Sequence, residues 1–242
     1  MKVIAADLYA VYVVTMAQRP RVRDYLYVSR TRVERLAASL PPKAFARLKE
    51  ANLKIGPVGG GVSLAPPEKR LLVEAIADVE PAIRKDHRIR DINERPLEPG
   101  MWVESSFLKM AYGTPAGYAT TLEAALFTSV DLNTRVLLAG SSSGLLDRTF
   151  PTPEDPAGSM SDPQSILRLL RSVRPNAPDT PVTPVEEWQL HGYPIASLHR
   201  TLEWNSGLHP VTFLAVVIQT SVGDSWTNII AQPLYVALAP PD

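Results

Sequence analysis

Two long apolar runs near the C-terminus constrain the fold more than any other feature of the chain. Residues 211–222, VTFLAVVIQTSV, are rich in β-branched side chains, and after a turn at Gly223-Asp224 residues 229–239, IIAQPLYVALA, return. Neither run alternates strictly between polar and apolar. Strands of that kind are covered on both faces. The rest of the chain must therefore supply two layers of cover. At 242 residues it is long enough to do so around one core, without a metal or a disulfide.

The remaining pattern predicts an α/β domain, with α+β as the alternative: a mixed β-sheet of roughly six to eight strands, flanked by about four helices. Tyr25–Val28 is β-prone, and Ser29 precedes Val33, Leu36, Ala37 and Leu40 at helical spacing before Pro41-Pro42. Leu53–Ile55 and Val62–Leu64 flank Gly59-Gly60-Gly61 as a hairpin or loop. Pro66 and Pro67 open a helix with Leu72, Ala75, Ile76 and Val79 on one face, ending or kinking near Pro81. Residues 84–99 are charged and predict an exposed connector. Residues 101–112, 124–130 and 135–139 are strand-like. A further helix spans Ile195 to Trp204. Residues 22–242 form one domain, in which 151–184 is a proline-rich loop or lid around a helix carrying Ile166, Leu167, Leu170 and Val173. Residues 1–21 are expected to be an N-terminal extension or a misassigned start, and Val3–Ala17 is too short for the ~20 residues a membrane span needs.

Composition narrows the functional classes. Lys plus Arg and Asp plus Glu are equal at 25 each, so no whole-molecule attraction draws the chain to nucleic acid or to a membrane; a local basic patch remains open. The absence of cysteine excludes thiolate catalysis, disulfides and zinc–thiolate sites, and is compatible with a cytoplasmic protein. No motif specifies a cofactor.

The stretch RVLLAGSSSGLLDR carries the first candidate site. A strand enters a glycine-flanked turn in which Gly140, Ser141, Ser143 and Gly144 are candidate ligand or phosphate contacts, the glycines letting a ligand approach. Gly140 to Gly144 also matches G-x-S-x-G literally, which would make Ser142 a nucleophile with a downstream histidine, His199 foremost. Neither a Walker nor a dinucleotide fingerprint is present. A plain turn is the simplest alternative. His199 and Glu203, four apart on a helix, could face a metal with His191 or His209, yet the zincin pattern is missing and no metal is assigned. Arg168, Arg171 and Arg174 recur on one helix without interleaved aromatics. Strand alternation places Trp102, Glu104, Met110 and Tyr112 on one face, as core or as an apolar pocket with Glu104 its polar group.

Three stretches, DYLYVSRTRVERLAASLP, LKIGPVGGGVSL and the pair SFLKMAYG with RVLLAGSSSGLLD, followed by a closing PLYVALA, resemble a group of uncharacterised actinobacterial proteins over about residues 24–239. The group implies no activity, only a setting beside bacterial signalling or conflict systems. Where its members carry a histidine before the Leu-Leu of the turn, this chain has Gly144, so no role passes from that histidine. The expected function is a non-catalytic module binding a small molecule or a protein partner in signalling or defence. The alternative is a small hydrolase or nucleotide-acting enzyme using the Gly140–Gly144 loop.

Overall fold

The computed structural model describes residues 23–40, 67–114, 124–131, 133–146, 165–166, 169–170, 192–222 and 227–240. The expectations for residues 1–21, 41–66, most of 151–184 and His191 lie outside them. The two apolar runs are neighbouring antiparallel strands, β6 (His209–Val222) and β7 (Thr227–Leu238), paired from Val222↔Thr227 to Val211↔Leu238. In chain order the other elements are β1 (Asp24–Val28), α1 (Arg30–Ala37), α2 (Pro67–Asp86), β2 (Ile89–Asp91), β3 (Trp102–Gly113), β4 (Ala124–Val130), β5 (Thr134–Ser141), a 3-10 turn at Ser142–Gly144, and α3 (Gly192–Ser206) preceding β6.

The strands close on themselves. β3 pairs β4, β4 pairs β5, β5 pairs β7 in parallel, β7 pairs β6, and β6 returns to β3. This makes a five-stranded barrel, with β1 added beyond β7 and β2 parallel to β3 at the other flank. The sheet is mixed, as expected, but five of its strands close into a barrel rather than forming a simple helix-flanked layer. Closure between β3 and β6 joins segments a hundred residues apart, and no local pattern announces it. The described residues include three named helices and further helical residues at 165–166 and 169–170, within the segment of the fourth expected helix.

Closure also explains why β7 is buried from Asn228 to Ala237. Its inward side chains, Ile229, Ala231 and Val236, join Phe127, Phe213, Met110 and Leu138 inside the barrel. One outer face lies under α3, where Ile195, Leu198 and Leu202 meet Leu126, Leu137 and Ile230. Another lies under α1 and α2, where Val33, Ile76 and Val79 meet Leu214 and Leu234. The two layers of cover required by the apolar runs are the barrel interior and these helices.

Three local features depart from the expected pattern. Residues 84–99 are largely exposed, as expected, but they are not a featureless connector: α2 continues through Pro81 to Asp86, β2 follows, and Ile92 and Leu97 are buried. The charges there build the turn, since Asp91 Oδ1 accepts from the Asn93 amide at 2.8 Å and Arg90 donates to the Pro96 carbonyl at 3.0 Å. β3 bulges between Ser105 and Leu108. The extra residue shifts the side-chain phase, so Val103 faces the interior before it and Met110 and Tyr112 after it. In β7, Pro233 has no N–H for the ladder, and Leu234 is left as the extra residue between Ala215↔Pro233 and Leu214↔Tyr235. The freed Leu234 carbonyl accepts from Ser29 N at 2.8 Å and so fixes where α1 begins.

Candidate functional site

The start of α1 stands over the end of β5. β1 is stitched to the 3-10 turn by the Leu146 amide donating to the Leu26 carbonyl at 2.9 Å and by a bridge between Tyr27 and Leu145. These contacts leave a cleft of about 60 Å³. A single water needs about 10–15 Å³ on this measure, so the cleft holds roughly four to six water-sized groups, the size of a phosphoryl group rather than of a whole nucleotide. Gly140, Ser141, Ser143 and Gly144 line it from the turn, Gln232 and Pro233 from β7. From α1 come Arg30, Arg32 and Arg35, beside Ser29 and Thr31.

The electrostatics of the cleft are set by α1. Arg30 pairs with Glu34 on the helix surface at 2.9 Å. Arg32 is part-buried; it donates to Gln232 Oε1 at 2.6 Å, and its Cζ lies 5.9 Å from the Trp102 ring centroid. Neither Arg32 nor Arg35 has a carboxylate partner among the described residues. Burial holds the Arg32 pKa below the ordinary arginine value; the Tyr27 hydroxyl acts against that shift and the Arg35 charge adds to it. Among the described residues the cleft lining carries no Asp, Glu or His. Serine hydroxyls sit opposite: Ser141 Oγ and Ser143 Oγ are 3.0 Å apart at the exposed rim. Guanidiniums with hydroxyls at this density bind oxyanions.

The glycines of the turn serve a different need from the one their sequence suggests. A Cβ on Gly140 would sit 2.1 Å from the Tyr27 hydroxyl, and one on Gly144 would sit 2.5 Å from the Tyr27 ring. Gly140 and Gly144 form the slot that admits this ring, which is 2% exposed and meets Phe127 edge-on with centroids 6.0 Å apart. Burial pushes the Tyr27 hydroxyl up to about 12, so it is a neutral wall of the cleft at any physiological pH.

The other candidate residues lie elsewhere. Ser142 is 3% exposed, is hydrogen-bonded, and does not line the cleft. His199 on α3 is buried, with Nδ1 3.2 Å from both the hydroxyl and the carbonyl oxygen of Thr128 and Nε2 3.6 Å from Glu203. Ser141 pairs with Ala124, four residues along β4 from Thr128, so Ser142 and His199 are separated by about 13 Å of strand. His209 contacts the Ser206 carbonyl at 2.6 Å and Tyr112 edge-on, so His199 and His209 engage different partners. Among the described residues no group of three metal-ligating side chains occurs. Trp102 is buried with α1 and α2, Glu104 pairs with Arg84 at 2.6 Å on the outside, and Tyr112 stacks on Phe127 inside the barrel. The bulge in β3 parts them. No helix of the described residues is long and apolar enough to cross a membrane.

The fold and the cleft together define a helix-flanked mixed β-barrel protein with an arginine-lined cleft. The chain belongs to a family of unknown function, DUF7019, whose model matches residues 23–240. No curated protein and no solved structure matches it significantly.

Proposed function

We propose that this protein is a binding module for a small anionic ligand held between α1 and the Gly140–Gly144 turn. The observation that carries the reading is Arg32, a part-buried guanidinium at the cleft whose partners among the described residues are a neutral amide and an indole. A charge withdrawn from water without a counter-ion is costly, and an anionic ligand relieves that cost. A sensing role in bacterial signalling or defence accommodates such a module, with the free and loaded clefts as its two states.

Inorganic phosphate or sulfate is expected to raise the melting temperature, because a ligand of the folded state alone stabilises it in proportion to RT ln(1 + [L]/Kd). Arg32→Gln is expected to weaken that binding at least about tenfold in calorimetric titration, since a hydrogen bond to a charged group contributes about 1.5–3 kcal/mol. If neither anion shifts the melting temperature, or if Arg32→Gln leaves affinity unchanged, the reading fails. An enzyme at this loop is the alternative. Ser142→Ala separates the two: binding is expected to stay within about twofold, with at most about 1.5 kcal/mol of stability lost from one hydrogen bond. Loss of a measured ester turnover in that variant, with folding intact, would favour the hydrolase.

A further inference from the structure

We propose that the cleft selects a dianionic phosphoryl group, free phosphate or the terminal group of a phosphomonoester, over monoanions such as carboxylates and phosphodiesters. This rests on the binding-module reading and deepens it.

The argument is one of charge and room. Of the three guanidiniums at the cleft, Arg30 has Glu34 as its counter-ion, whereas Arg32 and Arg35 have no carboxylate among the described residues. They stand three apart on α1, on neighbouring positions of one helical face. Two positive charges with no carboxylate partner among the described residues are balanced by two negative ones. A monoanion would leave one of them uncompensated beside a part-buried partner, and the destabilising Arg35–Arg32 repulsion would persist. Space of about 60 Å³ admits one tetrahedral group, so the remainder of any ester lies outside the cleft. Ser141 and Ser143 offer rim hydroxyls for oxygens that the arginine forks do not reach.

The titratable groups make the inference testable by pH. From α1 the cleft sees Arg30, Arg32 and Arg35; from β1, Tyr27; from β5, the turn and β7, no ionisable side chain. The arginines stay charged and Tyr27 stays neutral between pH 5 and 8. Any pH dependence of affinity in that window therefore belongs to the ligand. A phosphomonoester gains its second charge near pH 6.

The experiment is calorimetric titration of the full chain with methyl phosphate, dimethyl phosphate, inorganic phosphate, sulfate and acetate between pH 5 and 8. Methyl phosphate is expected to bind about tenfold more tightly at pH 7 than at pH 5, as the dianion fraction rises from about a tenth to about nine-tenths around a second pKa of about 6. Sulfate, a dianion throughout, is expected to show a flat profile. Dimethyl phosphate and acetate are expected to bind at least tenfold more weakly than methyl phosphate at pH 7. Arg35→Gln, on an exposed side chain, is expected to narrow the methyl-to-dimethyl ratio while the melting temperature of the free protein holds. Inorganic phosphate binding more tightly than methyl phosphate assigns the site to the free ion, and the reverse order assigns it to an ester; both uphold the proposal. Equal binding of mono- and dianions with a flat profile overturns it while leaving an anion module. No binding of any of the five removes both.

Discussion

Gly140→Ala is expected to destabilise the protein by about 2–4 kcal/mol, read as a fall of roughly 5–15 °C in melting temperature. The new methyl would lie 2.1 Å from the Tyr27 hydroxyl and 2.5 Å from its ring carbon Cζ. Tyr27 cannot swing aside, since Gly144 and Phe127 hold its other edges. Either the ring leaves the barrel end or β5 moves away from β1. The test is a double-mutant cycle. Tyr27→Ala alone should cost about 3–5 kcal/mol through its cavity, and Gly140→Ala on that background should cost almost nothing more. Additive losses would show that the glycine is required for some other reason. The same geometry means that a Gly140 substitution is a poor probe of the cleft, because it displaces Tyr27 before it meets any ligand.

The second large effect is expected at Glu80. This carboxylate on α2 accepts from Arg23 at 2.5 Å, from Arg84 at 2.9 Å and from the Tyr235 hydroxyl at 3.2 Å. It joins the start of β1, the helix and β7 at one point. Glu80→Gln keeps the shape and removes the charge, leaving two arginines against one amide. A loss of about 2–4 kcal/mol is expected, below the full range for a deeply buried pair because both arginines are partly exposed to water. The pH dependence follows from the same contacts. Burial pushes the Glu80 carboxyl up, and the hydrogen bonds and charges of Arg23 and Arg84 outweigh it, so its folded pKa lies below the ordinary 4.5. A group depressed in this way stabilises the fold above its unfolded pKa and loses that contribution as the pH falls through the folded one. The difference in urea midpoint between wild type and Glu80→Gln should therefore be full at pH 6 and shrink below about pH 4.5. A difference that stays constant to pH 3 would remove Glu80 ionisation from the account.

The parts of this fold legible in the sequence are those set by neighbours in the chain. The β6–β7 pair, the helix around Ile195–Trp204 and the helix after Ser29 all follow from periodicity, because each buries a face that its own spacing defines. β2 is hidden among exposed charges whose turn covers Ile92 and Leu97. The face of β3 is misread because one bulge inverts it, and alternation carries no mark of where an extra residue falls. At the site, the turn residues were visible and their arginine partners were not. RTRVER displays three arginines in six residues, yet helical periodicity marks only Val33 and Leu36, its apolar side. Only the pairing of β1 with β7, and of Tyr27 with Leu145, brings Arg32 to the serines. The missed signal was an excess of basic side chains on that turn of helix with a single glutamate to balance them.

The pairing of Asp24–Val28 with residues 235–238 has a further consequence for the order of events during synthesis. The cleft draws its walls from positions near 30, near 140 and at 232–233. A nascent chain emerging N-terminus first holds the arginines and the serines long before β7 exists to bring them together. Contacts of such sequence separation form late and slowly. The cleft has all its walls only once β7 has joined β1 and β5, so its assembly follows the most distant pairings of the described fold.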